Sequence, residues 1–276
     1  MPDSAPASPP TTEGPRISVV LPMRDEAPNV VPVYRGLVER LAQRLGDPIG
    51  DVEFLFVDDG SQDGSGDLVA DLSRTDPRVR LLRLASQRGQ SSAVWAGFLA
   101  SRGELVATMD ADQQQDPADL LGMLARLDQS PLIDAVVGVR RVRHDKALRR
   151  WSSRVGNTLR RRVTRDPLQD AGCSLKLLRR EALSALVPFD GMHRFIGTLL
   201  LQRGLRVVEE PVTHAPRRLG TAKYGLWNRV LRTAVDLAGV RWLEKRALEN
   251  RWQEEAVRRL DAPRVSTSGS LRTPIK

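Results

Sequence analysis

The sequence predicts an α/β protein, a mostly parallel sheet flanked by helices, with an amphipathic helix appended at the C-terminal side. Three observations carry that reading. Short apolar runs alternate with stretches of helical periodicity from residue 17 to about residue 140. Polar clusters stand just past several of the apolar runs, where open α/β sheets bind their ligands. Hydrophobic residues make up 41% of the chain, enough to fill a core for one large domain of its 276 residues.

The elements follow in order. Ile17–Leu21 reads as the first strand, then a turn over Pro22–Pro28 and a helix in Val30–Leu45. Val52–Val57 is a second strand that stops at Asp58-Asp59-Gly60-Ser61, and Leu68–Arg74 is helical. Val79–Leu84 is a third strand, with a helix over about Ser91–Ser101. Leu105–Met109 is a fourth strand ending in Asp110, and Pro117 fits the first turn of the next helix. Ala135–Val139 is a fifth strand. Beyond it come a short strand near Ser174–Leu178, helices at about Arg180–Leu186 and Met192–Arg203, and a strand at Arg206–Glu210. A helix at about Leu226–Arg251 closes the series. This divides the chain into a domain over 16–224, an amphipathic helix within 225–260, and tails over 1–15 and 261–276 that read as disordered by composition.

Charge and cysteine usage narrow the function classes. A formal net charge of +9 attracts polyanions: nucleic acid, nucleotide diphosphates or an anionic membrane face. Cys173 is the single cysteine, so an intrachain disulfide is impossible and a reducing compartment is permitted. No apolar run reaches the length of a transmembrane helix, and no signal-peptide core is present. The expectation is a cytoplasmic protein that meets a membrane at its surface.

Asp110-Ala111-Asp112 places two carboxylates around one small residue at a strand end. That suits Mg²⁺ or Mn²⁺, which prefer oxygen ligands and bridge to phosphates; it equally suits a turn capped by Asp110 with Asp112 solvated. Gln114 and Asp116 can extend the shell. Asp58-Asp59 can reach a base or ribose hydroxyl across the sheet edge, or serve an Asp-Gly turn. Gln87-Arg88-Gly89-Gln90-Ser91-Ser92 opens a helix whose free N–H groups can meet phosphate or ribose. The ending Gly-Lys-Ser/Thr of a Walker A loop is missing, and no GxGxxG follows the first strand, which argues against a nicotinamide enzyme. A basic segment over 140–165 carries Arg140, Arg149, Arg154 and Arg160 among others, either to hold an anion or as a solvated face. Its one aromatic, Trp151, and the 4% aromatic content of the chain argue against a nucleic-acid surface. His214 reads as a loop hydrogen-bonder, His193 as an acceptor contact or a helix-start residue, and Cys173 as packed. In the last helix, Leu226, Val230 and Leu237 form one row and Trp227, Leu231, Val235, Ala238 and Trp242 the next, flanked by Arg and Lys; the helix can lie in a membrane interface or pack on the domain.

Taken in order, these blocks resemble glycosyltransferase family 2. They are Ser18-Val-Val-Leu-Pro22 with Glu26, Val57-Asp-Asp-Gly-Ser61, Gly89-Gln-Ser-Ser-Ala93 with Ala96-Gly97, and Met109-Asp-Ala-Asp112 with Gln114. The later blocks are similar to the polyprenyl-phosphate branch, the dolichyl-phosphate mannosyltransferase-like enzymes. They are Val139-Arg140, Arg149 with Ser153 and Asn157, Asp170-Ala-Gly-Cys-Ser-Leu-Lys176, His193-Arg-Phe195, and Glu210-Pro-Val with His214, Arg217, Gly220, Lys223 and Tyr224. The likeness spans about residues 17–245. It implies a GT-A fold, Rossmann-like, and inverting transfer from a GDP- or UDP-linked sugar to a polyprenyl phosphate such as undecaprenyl phosphate at the inner membrane face. By the same likeness Pro22, Glu26 and Asp58 line the nucleoside pocket with Asp59 close by, and Gly89 belongs to the donor site. Asp110, Asp112 and Gln114 hold Mg²⁺ or Mn²⁺, with Gln113 and Gln115 as neighbours able to replace Gln114. Arg140, Arg149, Ser153 and Arg217 hold the lipid phosphate and the departing charge, with Lys223 as a further phosphate ligand. Asp170 faces the reaction centre, so that Asp112, Asp170 and Arg217 form the catalytic set. A separate membrane protein can supply an anchor. Two rival readings stay open: transfer to a glycan or lipid-A-like hydroxyl with Asp170 as base, and a basic nucleotide- or nucleic-acid-binding protein.

Overall fold

The computed structural model describes residues 14–45, 51–140, 160–215 and 226–246, with side chains described throughout these except 43–45 and 226–232. Seven strands form one sheet: β1 (Ile17–Met23), β2 (Val52–Asp58), β3 (Val79–Arg83), β4 (Leu105–Thr108), β5 (Ala135–Arg140), β6 (Lys176–Arg179) and β7 (Val207–Val212). Their order is β3-β2-β1-β4-β6-β5-β7. All pairings are parallel except those of β6, which runs antiparallel to both β4 and β5. The start of β6 therefore lies at the edge where β4 and β5 end.

Helices cover both faces. They are α1 (Ala27–Leu45), α2 (Ser65–Thr75), α3 (Gln90–Ala100), α4 (Ala118–Asp128), α5 (Ile196–Gln202) and α6 (Leu226–Arg246), with 3-10 turns at Arg180–Ala185 and Met192–Arg194. Strand parity sorts the core into two layers. Ile17, Val19 and Leu21 of β1 and Phe54 and Phe56 of β2 face α1, α2 and α4, whereas Val20, Leu55 and Val57 face α3, α5 and α6. β1 and β2 are buried along their whole length, as expected of parallel strands covered on both sides.

The structure moves several expected boundaries, two of them at the start of the chain's fold. Pro22 lies inside β1, opposite Val57, rather than in a turn. The Val20 carbonyl accepts from Met109 on the β4 side and the Met23 carbonyl from Asp59 on the β2 side. Pro22 shares the parity of Val20, and β1–β4 pairing stops at Val20, so its missing N–H falls where no ladder partner exists. Helix α1 begins at Ala27, three residues before Val30, because the Glu26 carbonyl accepts from the N–H groups of Asn29 and Val30. The long helix expected over Met192–Arg203 is divided into a 3-10 turn and α5, and the helix expected at about Arg180–Leu186 is a 3-10 turn over Arg180–Ala185.

Close backbone approach sets the α3 layer. A Cβ on Gly97 would sit 2.2 Å from Val20 Cγ1 and 3.2 Å from Val57 Cγ2, so only glycine lets α3 lie this near the sheet. Helix α6 docks through Leu237 and Val240, both buried, and through Arg194, which donates to Thr233 Oγ1 at 2.8 Å and to Asp236 Oδ2 at 3.1 Å. The adjacent row, Val235 and Trp242, faces outward with relative exposures of 71% and 60%. Of the two rows seen in the sequence, Leu237 thus belongs to the docked face and Val235, Ala238 and Trp242 to the outer face.

Candidate active site

The carboxyl ends of β1, β2, β4 and β5 and the start of β6 bring the polar clusters to one edge. On the β1–β2 side two loops are stitched together. Asp25 adopts a left-handed φ of 49°, and its backbone N–H donates to Ser61 Oγ at 2.9 Å while its carboxylate accepts from Gln62 N at 2.9 Å. The Glu26 N–H donates to Ser65 Oγ at 2.8 Å, and the Glu26 carboxylate accepts from Asn29 Nδ2 at 2.6 Å. Asp58, buried at the end of β2, accepts from Ser61 N at 2.8 Å. Asp59 accepts from Arg88 N at 2.6 Å and from Gly89 N at 2.9 Å. It thereby holds the Gly89 turn, whose φ of 90° favours glycine, at the start of α3. Pro22, Glu26, Asp58, Asp59 and Gly89 are therefore neighbours in one wall.

Asp110, just past β4, is the hub of a second set of contacts. Gln90 Nε2 donates to its Oδ1 at 2.8 Å and Ser174 Oγ to its Oδ2 at 2.5 Å. Gln115 closes the corner, accepting from Asp110 N at 3.1 Å and donating to Ser174 Oγ at 2.5 Å. The three glutamines diverge. Gln113, at a left-handed φ of 59°, reaches Asn29 at 2.6 Å. The Gln114 N–H donates to Asp112 Oδ1 at 3.1 Å, and its side chain donates to the Ala215 carbonyl at 3.2 Å. Gln115 alone is buried, against Asp110.

The loop that supplies Ser174 also carries Asp170. Arg140, at the end of β5, donates through Nε to Asp170 Oδ2 at 2.6 Å and through Nη2 to Oδ1 at 2.8 Å, the two-point geometry of a guanidinium on an oxyanion. Glu209 of β7 accepts from Gln169 N at 2.6 Å. Upstream, buried Arg160 donates to both oxygens of Asp166 at 2.6 Å, and Thr198 Oγ1 donates to Asp166 at 2.8 Å. These contacts anchor the segment that delivers Asp170. Arg160 of the basic segment is thus structural.

Beneath this loop lies Lys176, 2% exposed, whose ammonium donates to the Cys173 carbonyl. Burial pulls the Lys176 ammonium below its ordinary range, while Cys173, Asp110 and Asp170 favour the charged form. Burial pushes the Asp110 carboxyl up, and the Asp112 charge adds to this; Ser174, Lys176 and Arg140 oppose the rise. Burial likewise raises the Cys173 thiol, in keeping with a packed, unreactive cysteine. Near α3, Ser91 Oγ and His193 Nδ1 are 2.7 Å apart and the Gly191 N–H donates to Ser91 at 2.8 Å. His193 thus ties the start of α3 to the 3-10 turn at Met192–Arg194.

The Asp112 charge works against that of Asp110, and a pair of carboxylates at one strand end fits a hard divalent cation. Among the described residues no group of three or more His, Cys, Asp or Glu is placed to hold a metal. The fit is therefore to an ion with few protein ligands that completes its shell from phosphate and water. Arg149, Ser153, Arg217 and Lys223 lie outside the described residues, as do most of both expected tails. Ser174, Gln90 and Lys176 stood in the sequence only as members of longer blocks, and Gln115 only as a neighbour able to replace Gln114. Gln90 and Ser174 take their roles from contacts with Asp110, 20 and 64 residues distant.

A seven-stranded, mostly parallel sheet with acidic strand ends facing a guanidinium-bearing strand defines a GT-A glycosyltransferase fold. The chain belongs to glycosyltransferase family 2: the model of that family, described as glycosyl transferase family 2, matches residues 18–187. Among similar curated proteins, the dodecaprenyl-phosphate galacturonate synthase of Rhizobium johnstonii is 36% identical over 230 residues, covering 81% of this chain and 66% of that protein. An undecaprenyl-phosphate 4-deoxy-4-formamido-L-arabinose transferase of Shewanella sediminis is 34% identical, covering 78% of this chain and 68% of that protein. The chain thus spans about two thirds of the length of these relatives. Among solved structures, glucosyl-3-phosphoglycerate synthase of Mycobacterium tuberculosis, in complex with Mn²⁺, UDP and phosphoglyceric acid, superposes with a TM-score of 0.59 at 19% identity, covering 84% of this chain and 78% of that one.

Proposed function

We propose that this chain is a metal-dependent, inverting glycosyltransferase that moves a sugar from a UDP- or GDP-linked donor to a polyprenyl phosphate. The observation that carries this reading is the single loop, Asp170–Ser174, that meets Asp110 at one end and Arg140 at the other. It couples a carboxylate suited to the metal of a donor diphosphate with a guanidinium suited to a phosphate acceptor. The names of the two relatives, both polyprenyl-phosphate sugar transferases, support the acceptor. The solved neighbour with Mn²⁺ and UDP supports the donor and the ion.

The chemistry follows from charge. A phosphate monoester is mostly dianionic near neutral pH, with a second pKa of about 6. It attacks an anomeric carbon without a strong base. The task is to bring one anion to another. Arg140, whose Nε and Nη2 are engaged by Asp170, meets the acceptor oxyanion by sharing or exchanging that partner, assisted by Arg149, Ser153, Arg217 and Lys223. Asp110 and Asp112, with Gln114 or its neighbour Gln115, hold Mg²⁺ or Mn²⁺, which when bound neutralises charge on the leaving diphosphate. Pro22, Glu26, Asp58, Asp59 and the Gly89 turn form the nucleoside side. Both oxygens of Asp170 engage Arg140, which favours a phosphate acceptor over a hydroxyl acceptor that needs Asp170 as base.

The acceptor is a lipid, so the site has to meet a bilayer. Among the described residues no helix is long and apolar enough to cross a membrane. The outer face of α6, with Val235 and Trp242 and with Lys245 and Arg246 exposed at its end, suits the surface of an anionic leaflet, and the cytoplasmic face is where nucleotide sugars are supplied. The test is direct. Purified protein with Mn²⁺ or Mg²⁺, undecaprenyl phosphate and a panel of nucleotide sugars yields a polyprenyl-phosphate sugar from one donor. A folded protein that transfers from none of them overturns the reading.

A further inference from the structure

Helix α3 carries Gln90 to Asp110, yet the residue at its N-cap gives it no side-chain cap. Gly89 stands there with nothing to accept from the free N–H groups of the first turn. The start of the helix is instead held from two other parts of the chain. On one side Asp59 accepts from Arg88 N and Gly89 N. On the other, buried Ser91 accepts from the Gly191 N–H at 2.8 Å, and its Oγ lies 2.7 Å from His193 Nδ1. Gly191 opens the 3-10 turn at Met192–Arg194, and His193 lies within it. The far side of this turn is bound to α6: Arg194 donates to Thr233 Oγ1 at 2.8 Å and to Asp236 Oδ2 at 3.1 Å. Gly191, at a left-handed φ of 100°, lets α6 come this near, since a Cβ there would sit 2.6 Å from Asp236 Oδ2. Met192 is buried in the same core layer as Ala93 and Val94 of α3 and Leu237 and Val240 of α6. A path of polar contacts therefore runs from Asp236 through the turn to Ser91. The residue before Ser91 is Gln90, which donates to Asp110 Oδ1 at 2.8 Å.

We propose that Arg194 is a positioning residue: by binding Asp236 and Thr233 it makes the docked face of α6 the outer support of the α3 start, and so sets Gln90 against Asp110 on the donor side of the site. Helix α6 then belongs to the framework of that side as well as to the surface. The word donor rests on the sugar-transferase reading; the path of contacts does not. The link predicts an effect with a direction. Loosening Arg194 or Asp236 frees the start of α3 and weakens nucleotide binding. The acceptor side is unaffected, because Arg140 and Asp170 are held by each other, away from this path. Loss of packing alone would lower stability and act on both sides alike. Energetic coupling between elements runs through contiguous packed and hydrogen-bonded groups, and its signature is non-additivity.

The experiment compares the full chain with Arg194→Ala, Asp236→Ala, the double variant, Arg194→Lys, and Val235→Glu on the outer face of the same helix. Amide hydrogen exchange over residues 88–95 is followed beside that of β2, and binding of UDP and of GDP is measured by calorimetry without vesicles. In Arg194→Ala and in Asp236→Ala, exchange over 88–95 is expected to quicken about tenfold or more with β2 unchanged, and the nucleotide dissociation constant to rise about fivefold or more. The double variant is expected to stay within about twofold of the stronger single one, since both break one link. Arg194→Lys, which keeps a donor for Asp236, is expected to weaken nucleotide binding less than about threefold, and Val235→Glu to match the wild type. In turnover, donor KM rises while KM for undecaprenyl phosphate stays within about twofold. Unchanged exchange over 88–95, or unchanged nucleotide affinity, in folded Arg194→Ala and Asp236→Ala overturns the proposal. So do effects that multiply in the double variant, and so does equal loss of protection in β2, which would make Arg194 a general packing contact. If the wild type binds neither nucleotide and transfers no sugar, the sugar-transferase reading fails, and the exchange rates over 88–95 alone decide the link.

Discussion

Arg140 grips Asp170 through both Nε and Nη2, at 2.6 and 2.8 Å, across 30 residues of chain. The guanidinium fork that would receive a phosphate is already aligned by an internal carboxylate. An incoming acceptor needs only to share or replace that partner. Arg140→Lys keeps the charge and loses the fork. Charge-assisted hydrogen bonds are worth about 1.5–3 kcal/mol, so kcat/KM for the lipid phosphate should fall about ten- to hundredfold while nucleotide binding holds. Asp170→Asn should retain at least about a tenth of wild-type turnover with a phosphate acceptor, whereas near-abolition would restore the hydroxyl-acceptor mechanism. Steady-state kinetics with the acceptor varied reads both.

Asp112 follows Asp110 by two residues and accepts from the Gln114 N–H at 3.1 Å. Its place beside Asp110 suits an ion. Asp112→Ala should leave the fold intact and weaken Mn²⁺-dependent binding of UDP or GDP at least about tenfold. Calorimetry with and without Mn²⁺ checks this. Binding that is equally strong and metal-independent in the variant would point to the nucleotide-binding, non-enzymatic reading.

The pH dependence of stability has a specific contributor far from the site. Asp76 accepts from Arg78 at 2.7 Å and from Tyr34 Oη at 2.7 Å. The hydrogen bond from Arg78 is the main cause that holds its carboxyl down at about 2, below the ordinary 3.8. A depressed folded-state value stabilises the protein above the unfolded value, and that contribution is lost as pH falls from about 4 through about 2. The shift corresponds to on the order of 2 kcal/mol. Urea unfolding of wild type and Asp76→Asn should differ by about that amount at pH 6 and converge near pH 2.

Gly97 is where α3 meets the sheet. Gly97→Ala places a methyl 2.2 Å from Val20 Cγ1, and overpacking of this kind costs about 1–3 kcal/mol. The expected result is a lower Tm with the same ligand affinities per folded molecule. Adding Val20→Ala should recover part of the loss, since the smaller side chain yields the space.

The outer row of α6 gives the membrane prediction. Val235→Glu and Trp242→Glu should reduce co-sedimentation with anionic vesicles about tenfold or more without changing nucleotide binding, because Leu237 and Val240, not these residues, dock the helix. Equal binding by variant and wild type would assign the face to another partner.

Much of this was legible without a structure. Local periodicity identified all seven strands, and the placement of Glu26, Asp58, Asp59 and Asp110 at strand ends followed from it, since a parallel sheet brings its carboxyl ends to one edge. The shortfalls were of one kind. Pro22 read as a turn residue because its strand pairs on that side only as far as Val20, a limit set by β4. The three glutamines after Asp112 were indistinguishable in sequence. The left-handed turn at Gln113 and the distant partners Asn29, Ala215 and Ser174 send them in three directions.

The sequence by itself determined the α/β alternation, the acidic strand ends and the family, because these depend on residue type and spacing within a few turns of chain. The tertiary structure alone decided that β6 enters antiparallel between β4 and β5. That insertion carries Asp170, Ser174 and Lys176 into the gap between Asp110 and Arg140. Strand order is settled by which faces bury one another across 30 to 100 residues, and no local pattern records it.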